Sequence, residues 1–332
     1  MARALITGAT GFVGSFLAEH LLASGDEPLG VSASGRWPDE LLSDRTFEAT
    51  ARRVPLVAWD VAESPSDDAL RAFEAFAPTV IYHLAALSVP KECGEVEPTE
   101  RALAVNVGGT RAVVELAARL PSRPRVLFVS TGHVYGGSGA VDESAPLEPR
   151  GPYGRTKVLA ETELLREIAA GRADGVIARA FKHAGPRQGP QMMLSEWCSQ
   201  FALPSREPVL VQTFDSYLDL CDVRDVVRAY RLLVERAPSG GIFNVGGGRS
   251  VRCGDLFLAL RDMADPERPY RETKPGLKRE PIADIGKLAA LTGWRPEIPV
   301  ATTLRDTLNW WRQRWTADAR TPPPTARPLA ST

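Results

Sequence analysis

Tyr153 and Lys157 stand four residues apart in Tyr153-Gly154-Arg155-Thr156-Lys157. That spacing sets a phenol and an ammonium one turn apart on the same helix face. A free phenol titrates near about 10, and a fixed neighbouring cation favours the phenolate, which would make Tyr153 an easier proton-transfer group. Lys157 could also hold the ribose hydroxyls of a nicotinamide cofactor. The spacing by itself is common on helix surfaces. Its weight comes from its place after the apolar run Leu127-Phe128-Val129-Ser130-Thr131, with Val134-Tyr135-Gly136 just beyond.

A second constellation sits near the first residues of the sequence. Gly8, Gly11 and Gly14, in Ala4-Leu5-Ile6-Thr7-Gly8-Ala9-Thr10-Gly11-Phe12-Val13-Gly14, follow a strand and open a helix whose first residues are Phe12 and Val13. Gly8 permits the tight turn, Gly11 lets the backbone approach a pyrophosphate, and Gly14 allows close helix–strand packing. A dinucleotide is the expected ligand. NAD-selective sites carry a carboxylate near the end of the second strand; here that stretch reads Val31-Ser32-Ala33-Ser34-Gly35-Arg36. Ser32 and Arg36 suit a 2′-phosphate, so NADP(H) is the preferred expectation and NAD(H) the second, unless Arg36 is a solvated loop charge.

These residues need a scaffold, and the chain supplies its pattern. Apolar runs at Ala4–Thr7, Leu29–Ser32, Leu56–Trp59, Val80–Leu84, Val126–Ser130 and Val176–Ala180 alternate with amphipathic segments such as Phe12–Ser24 and Val105–Leu120. The pattern predicts an α/β fold, a doubly wound parallel sheet of Rossmann type covered on both faces. Beyond Ala180 the alternation breaks. Short segments at Pro208–Val211 and Gly241–Val245 mix with helices at Asp222–Glu235, Cys253–Ala264 and Val300–Trp315. The expected division is a nucleotide-binding domain over residues 1–180, to which segments near 222–245 return, a small C-terminal α/β substrate-binding region over 181–315, and a disordered tail over 316–332.

The chain has 332 residues, a formal net charge of -1 and 24% charged residues, the balance of an ordinary globular protein and not of a nucleic-acid binder. Cys93, Cys198, Cys221 and Cys253 lie far apart with no C-x-x-C pair, so neither a metal site nor a disulfide framework is expected. No stretch has the length and apolarity of a membrane span or signal peptide, and a cytoplasmic location is expected.

The G-x-x-G-x-x-G spacing, followed in order by the other motifs, resembles the extended short-chain dehydrogenase/reductases. The resemblance implies that Asp60 and Val61 lie at the adenine, that Leu84, Ala85 and Ala86 in His83-Leu84-Ala85-Ala86 lie on the nicotinamide side, and that Thr131 joins Tyr153 and Lys157 as a triad. Asn106 matches a helix asparagine usual in this branch. The family includes nucleotide-sugar 4-keto reductases, 4-epimerases and 4,6-dehydratases. Its dehydratases carry an Asp-Glu pair after the threonine, because elimination needs a separate acid and base; here those positions are Gly132 and His133.

The segments Asp222–Tyr230, Phe243–Gly248 and Thr292–Pro299 resemble members that reduce GDP-linked 4-keto-6-deoxymannose. Reduction of a nucleotide-linked 4-keto-6-deoxy sugar is therefore the expected activity. Epimerisation at C4, 4,6-dehydration and a non-catalytic dinucleotide sensor are the alternatives. The sequence departs from those reductases at Lys182, where they carry a substrate-facing asparagine, and at Leu218, where they carry a diphosphate arginine. Lys274, Lys182 and Arg187 could stand in for that arginine, although a lysine lacks the bidentate fork. His133 could touch the sugar or merely satisfy nearby backbone, and the same holds for His183. By resemblance, the helices at Val105–Leu120 and Tyr153–Ala170 would pair two copies as a homodimer.

Overall fold

Seven apolar runs become one parallel sheet in the computed structural model, which describes residues 1–317. The strands are β1 (Arg3–Thr7), β2 (Glu27–Ser32), β3 (Leu56–Ala58), β4 (Val80–His83), β5 (Arg125–Thr131), β6 (Gly175–Ala180) and β7 (Gly241–Val245). Their spatial order is β7-β6-β5-β4-β1-β2-β3, with every neighbouring pair parallel. Winding proceeds outwards from β1 in both directions, so a crevice opens at the carboxyl ends of β1 and β4, where such sheets bind ligands.

The principal helices are α1 (Phe12–Ala23), α2 (Gly109–Arg119), α3 (Pro152–Ala169), α4 (Met193–Ala202), α5 (Val223–Arg236), α6 (Cys253–Ala264) and α7 (Val300–Ala317). One sheet face is covered by α1 and α5, through Phe16, Leu17 and Leu21 with Val226, Tyr230 and Leu233. The other is covered by α2 and α3, through Val113 and Leu116 with Ala160 and Leu164. Both faces are dry, which is why β1, β4 and β5 read as continuous apolar runs. A separate cluster holds the C-terminal region together, with Trp197, Phe257, Leu304 and Trp311 drawn from α4, α6 and α7.

The helix expected over 105–120 is built in two pieces, for a π-helical turn over Ala104–Gly108 precedes α2 and carries Asn106. Helix α4 and a strand over Ser216–Asp219 add to the elements anticipated from the pattern. Thr316 and Ala317 complete α7 where the tail was expected to begin, and the rest of that tail, 318–332, lies outside the described residues. No helix among the described residues is long and apolar enough to cross a membrane.

Candidate active site

A cleft of about 1320 Å³ opens over the carboxyl ends of β1, β4 and β5. Its volume exceeds what one drug-sized ligand fills, so it has room for a dinucleotide and a second molecule. All the residues expected at cofactor and substrate line it, apart from Arg36 and Lys274.

The glycine turn forms one wall. Gly8 adopts φ +72°, and a Cβ there would stand 2.8 Å from the Ala85 amide nitrogen. A Cβ on Gly14 would stand 2.2 Å from the Gly8 carbonyl and 2.7 Å from Ala9 Cα. The first turn of α1 is thereby laid against the end of β1. It has no side-chain cap and no acidic residue, so its N–H groups and the positive end of its dipole are available to a phosphate. A dinucleotide fits this cradle, with Leu84, Ala85 and Ala86 continuing its floor.

Further along the same wall, Ser32 Oγ accepts the Gly35 N–H at 3.1 Å, while Arg36 is exposed and outside the cleft lining. The cation expected for a 2′-phosphate is therefore not in place. Asp60 receives Arg101 at 2.9 Å and the Ala62 N–H at 3.1 Å, and Arg101 holds its carboxyl below the usual range. Val61 is buried against Gly109, where a Cβ would meet its Cγ2 at 2.8 Å.

Thr131 ends β5 and Tyr153 stands in the first turn of α3, and both line the cleft. One turn on, the buried Lys157 donates to the Val129 carbonyl at 2.8 Å and lies 4.7 Å from the Phe128 ring centre. The sequence expectation that Lys157 acidifies Tyr153 is corrected here. Burial pushes the phenol above its ordinary value, and the neighbouring Thr131 offsets this only in part. Burial likewise pushes Lys157 down, to about 8.

Buried polar contacts fix these groups. Asn106 Nδ2 donates to Thr156 Oγ1 at 2.9 Å, and its Oδ1 accepts the Leu87 N–H at 2.8 Å, tying the helix segment between Tyr153 and Lys157 to the loop after β4. His83 bridges Thr7 at 2.7 Å and Thr110 at 3.1 Å, and burial lowers its pKa to about 3, so it is a neutral fastener between β1 and β4. Ser130 donates to Glu161 at 2.5 Å, Glu161 pairs with Arg179, and Arg179 donates to the Tyr135 hydroxyl at 2.8 Å.

On the substrate side His133, Lys182, Lys278, Arg279 and Glu280 face the cleft. Glu280 is paired with Lys182 and, at 2.8 Å, with Lys278, and these lysines pull its carboxyl down to about 2 against its burial. Two further expectations are corrected. Arg187 reaches the cleft wall, but its guanidinium is engaged by Glu19 at 2.8 and 2.9 Å and by Asp44 at 2.9 Å, stacked on Phe16 and Phe47. It is an internal clamp and not a free cation. Lys274 lies on the exposed loop before the cleft-lining strand Lys278–Arg279 and does not line the cleft. Leu218 is buried in the C-terminal core, well suited to that place and to no phosphate.

Residues 4–246 match the model of the NAD dependent epimerase/dehydratase family. The chain belongs to that family. Among its members, GDP-6-deoxy-D-mannose reductase of Pseudomonas aeruginosa is 27% identical over 94% of this chain and 98% of its own length. UDP-glucose 4-epimerase of Mycolicibacterium smegmatis is 29% identical over 94% of this chain and 99% of its own. Among solved structures, RMD from Pseudomonas aeruginosa complexed with NADPH superposes with a TM-score of 0.77 at 26% identity, covering 95% of this chain and 99% of that one.

Family motifs point to the triad and the glycine turn; they do not point to Lys278, Arg279 and Glu280. Their signal was the charge run Lys278-Arg279-Glu280, but its meaning depends on parallel pairing of Lys278–Arg279 with Ser216–Tyr217, which turns that segment into the cleft wall. Tyr135 was visible only as part of a motif, and its hydroxyl role in the Arg179 network has no local sequence sign.

Proposed function

We propose that this protein reduces the keto group of a nucleotide-linked 4-keto-6-deoxy sugar with a nicotinamide dinucleotide, the RMD structure with NADPH supporting NADPH as the one used. The observation that carries the reading is that Thr131 and Tyr153 line one cleft, with Lys157 one turn along α3 lining it as well. A nicotinamide dinucleotide held by Gly8, Gly11, Gly14 and Lys157 would supply hydride. Tyr153 gives the proton to the carbonyl oxygen. The phenol carries its proton at neutral pH, and the alkoxide left by hydride transfer is the base that takes it. Thr131 hydrogen-bonds the alkoxide as its charge grows, an interaction strongest at the transition state. Gly132 and His133 in place of two carboxylates disfavour elimination, which needs an acid as well as a base. The likeness to the Pseudomonas reductase supports GDP as the nucleotide, and exposed Leu103 and Leu159 beside the paired helices support a homodimer.

A second reading is C4 epimerisation by the same residues, favoured by the 29% identity to the Mycolicibacterium epimerase. Cofactor use separates the two. The reductase consumes one NADPH per GDP-4-keto-6-deoxymannose; an epimerase interconverts UDP-glucose and UDP-galactose with no net consumption. Tyr153→Phe should keep NADPH binding and lose about 10²- to 10⁴-fold in turnover. Turnover at the wild-type rate would sink the assignment.

A further inference from the structure

One imidazole in the cleft is without an assigned task. His133 lies in the 3-10 turn Gly132–Val134, directly after Thr131. Its backbone N–H donates to Thr131 Oγ1 at 3.2 Å, so it is anchored to the strand end that carries the triad hydroxyl. Its ring meets the Tyr153 ring edge-on, with centroids 5.9 Å apart and planes at 71°. The side chain is exposed to the cleft, and among the described residues neither ring nitrogen makes a hydrogen bond. A structural histidine behaves differently, as His83 does by engaging both nitrogens. Burial within the cleft, with Lys182 adding to it, brings the His133 pKa to about 4 despite the opposing charge of Glu280. The ring is neutral at pH 7, with a lone pair open to a ligand.

Tyr153 marks where a substrate carbonyl oxygen sits under the reductase reading. The carbons flanking that carbonyl lie two bonds from its oxygen, in the cleft that His133 also lines, its ring centroid 5.9 Å from that of Tyr153. Hydrogens on such carbons are acidic, because the electron pair left behind passes into the carbonyl. We propose that His133 is a second proton-transfer residue, which removes the hydrogen from a carbon next to the keto group and returns it. This rests on the reading of the substrate as a keto sugar.

The step balances without an oxidant. The C–H bond breaks, its proton goes to the free imidazole nitrogen, and its electron pair forms the C=C bond of an enolate whose oxygen is hydrogen bonded by Tyr153 and Thr131. In the reverse step the imidazolium returns a proton to the carbon. Exchange with water on the imidazolium makes the event visible. Loss of a neighbouring hydroxyl does not follow, because Gly132 offers no acid to the leaving group.

The test is incubation of the full chain with GDP-4-keto-6-deoxymannose and NADP⁺ in D2O, read by mass spectrometry and proton NMR against a control without enzyme. Wild-type protein should place deuterium on a carbon beside the keto group. His133→Asn should exchange about 100-fold more slowly, and added imidazole should restore exchange to His133→Ala, which a purely structural role would not permit. Absence of exchange above the control in wild type, or an unchanged rate in His133→Asn, overturns the inference. NADPH consumption by the same sugar, followed in parallel, decides the reductase reading separately, since hydride transfer requires no such exchange.

Discussion

The Glu161 carboxylate grips the Arg179 guanidinium through two hydrogen bonds, 3.0 Å to Nε and 2.7 Å to Nη2, with both side chains 3% exposed. Glu161 projects from α3 one turn beyond Lys157, and Arg179 from β6, so the pair locks α3 to the sheet. The Ser130 bond to the same carboxylate brings in the strand end beside Thr131. Glu161→Gln leaves Arg179 as an uncompensated buried cation and should cost about 3–5 kcal/mol in urea unfolding. Replacing both residues by methionine should cost much less. An equal loss in the double variant contradicts the account.

Lys157 makes stability depend on pH in an unusual direction. In the unfolded chain its ammonium holds its proton to about 10.4, whereas in the fold burial lowers the pKa to about 8. Between these values the unfolded chain binds more protons, so the contribution of this group to stability rises with pH across that window; below it the penalty of burying the charge is constant. The unfolding free energy of wild type minus that of Lys157→Met should therefore increase from pH 7.5 to pH 9.5. A flat difference would show that the ammonium is not desolvated.

Gly14→Ala tests the glycine wall. The new methyl would meet backbone atoms of Gly8 and Ala9, which have no rotamer by which to move aside. Displacement of the first turn of α1 should lower the melting temperature, at a cost of about 1–3 kcal/mol. It should also weaken NADPH binding in a fluorescence titration. Unchanged binding would separate α1 from the phosphates.

Arg187→Met distinguishes a clamp from a substrate contact. Arg187 joins Glu19 on α1 to Asp44 on the segment after β2, and its removal leaves two carboxylates facing each other, at about 2–4 kcal/mol once partial exposure of Glu19 is discounted. The variant should unfold at lower urea with little change in KM for the nucleotide sugar. A raised KM with unchanged stability would restore Arg187 to the substrate site.

The sheet was legible in the chain because strands buried on both faces must be apolar throughout, and the glycine turn because only glycine fits there. Thr131, Tyr153 and Lys157 could be brought together once β5 and α3 were placed. Long-range pairing was beyond local pattern. The partners of Arg187 lie 168 and 143 residues away, so its spacing could not distinguish a clamp from an exposed cation. The Tyr153 shift was misjudged because helical spacing reports the nearness of Lys157 but not desolvation, which dominates in the fold. Lys274 and Lys278 are four residues apart in one basic loop, and only the strand register selects the second.

The packing of α1 against α5 bears on how the protein is made. Residues 12–23 leave the ribosome before residues 223–236, yet together they cover one face of the sheet. A nascent chain thus carries an uncovered apolar surface while the segment between the two helices is made, a state prone to aggregation and suited to chaperone capture until translation reaches the helix that closes it.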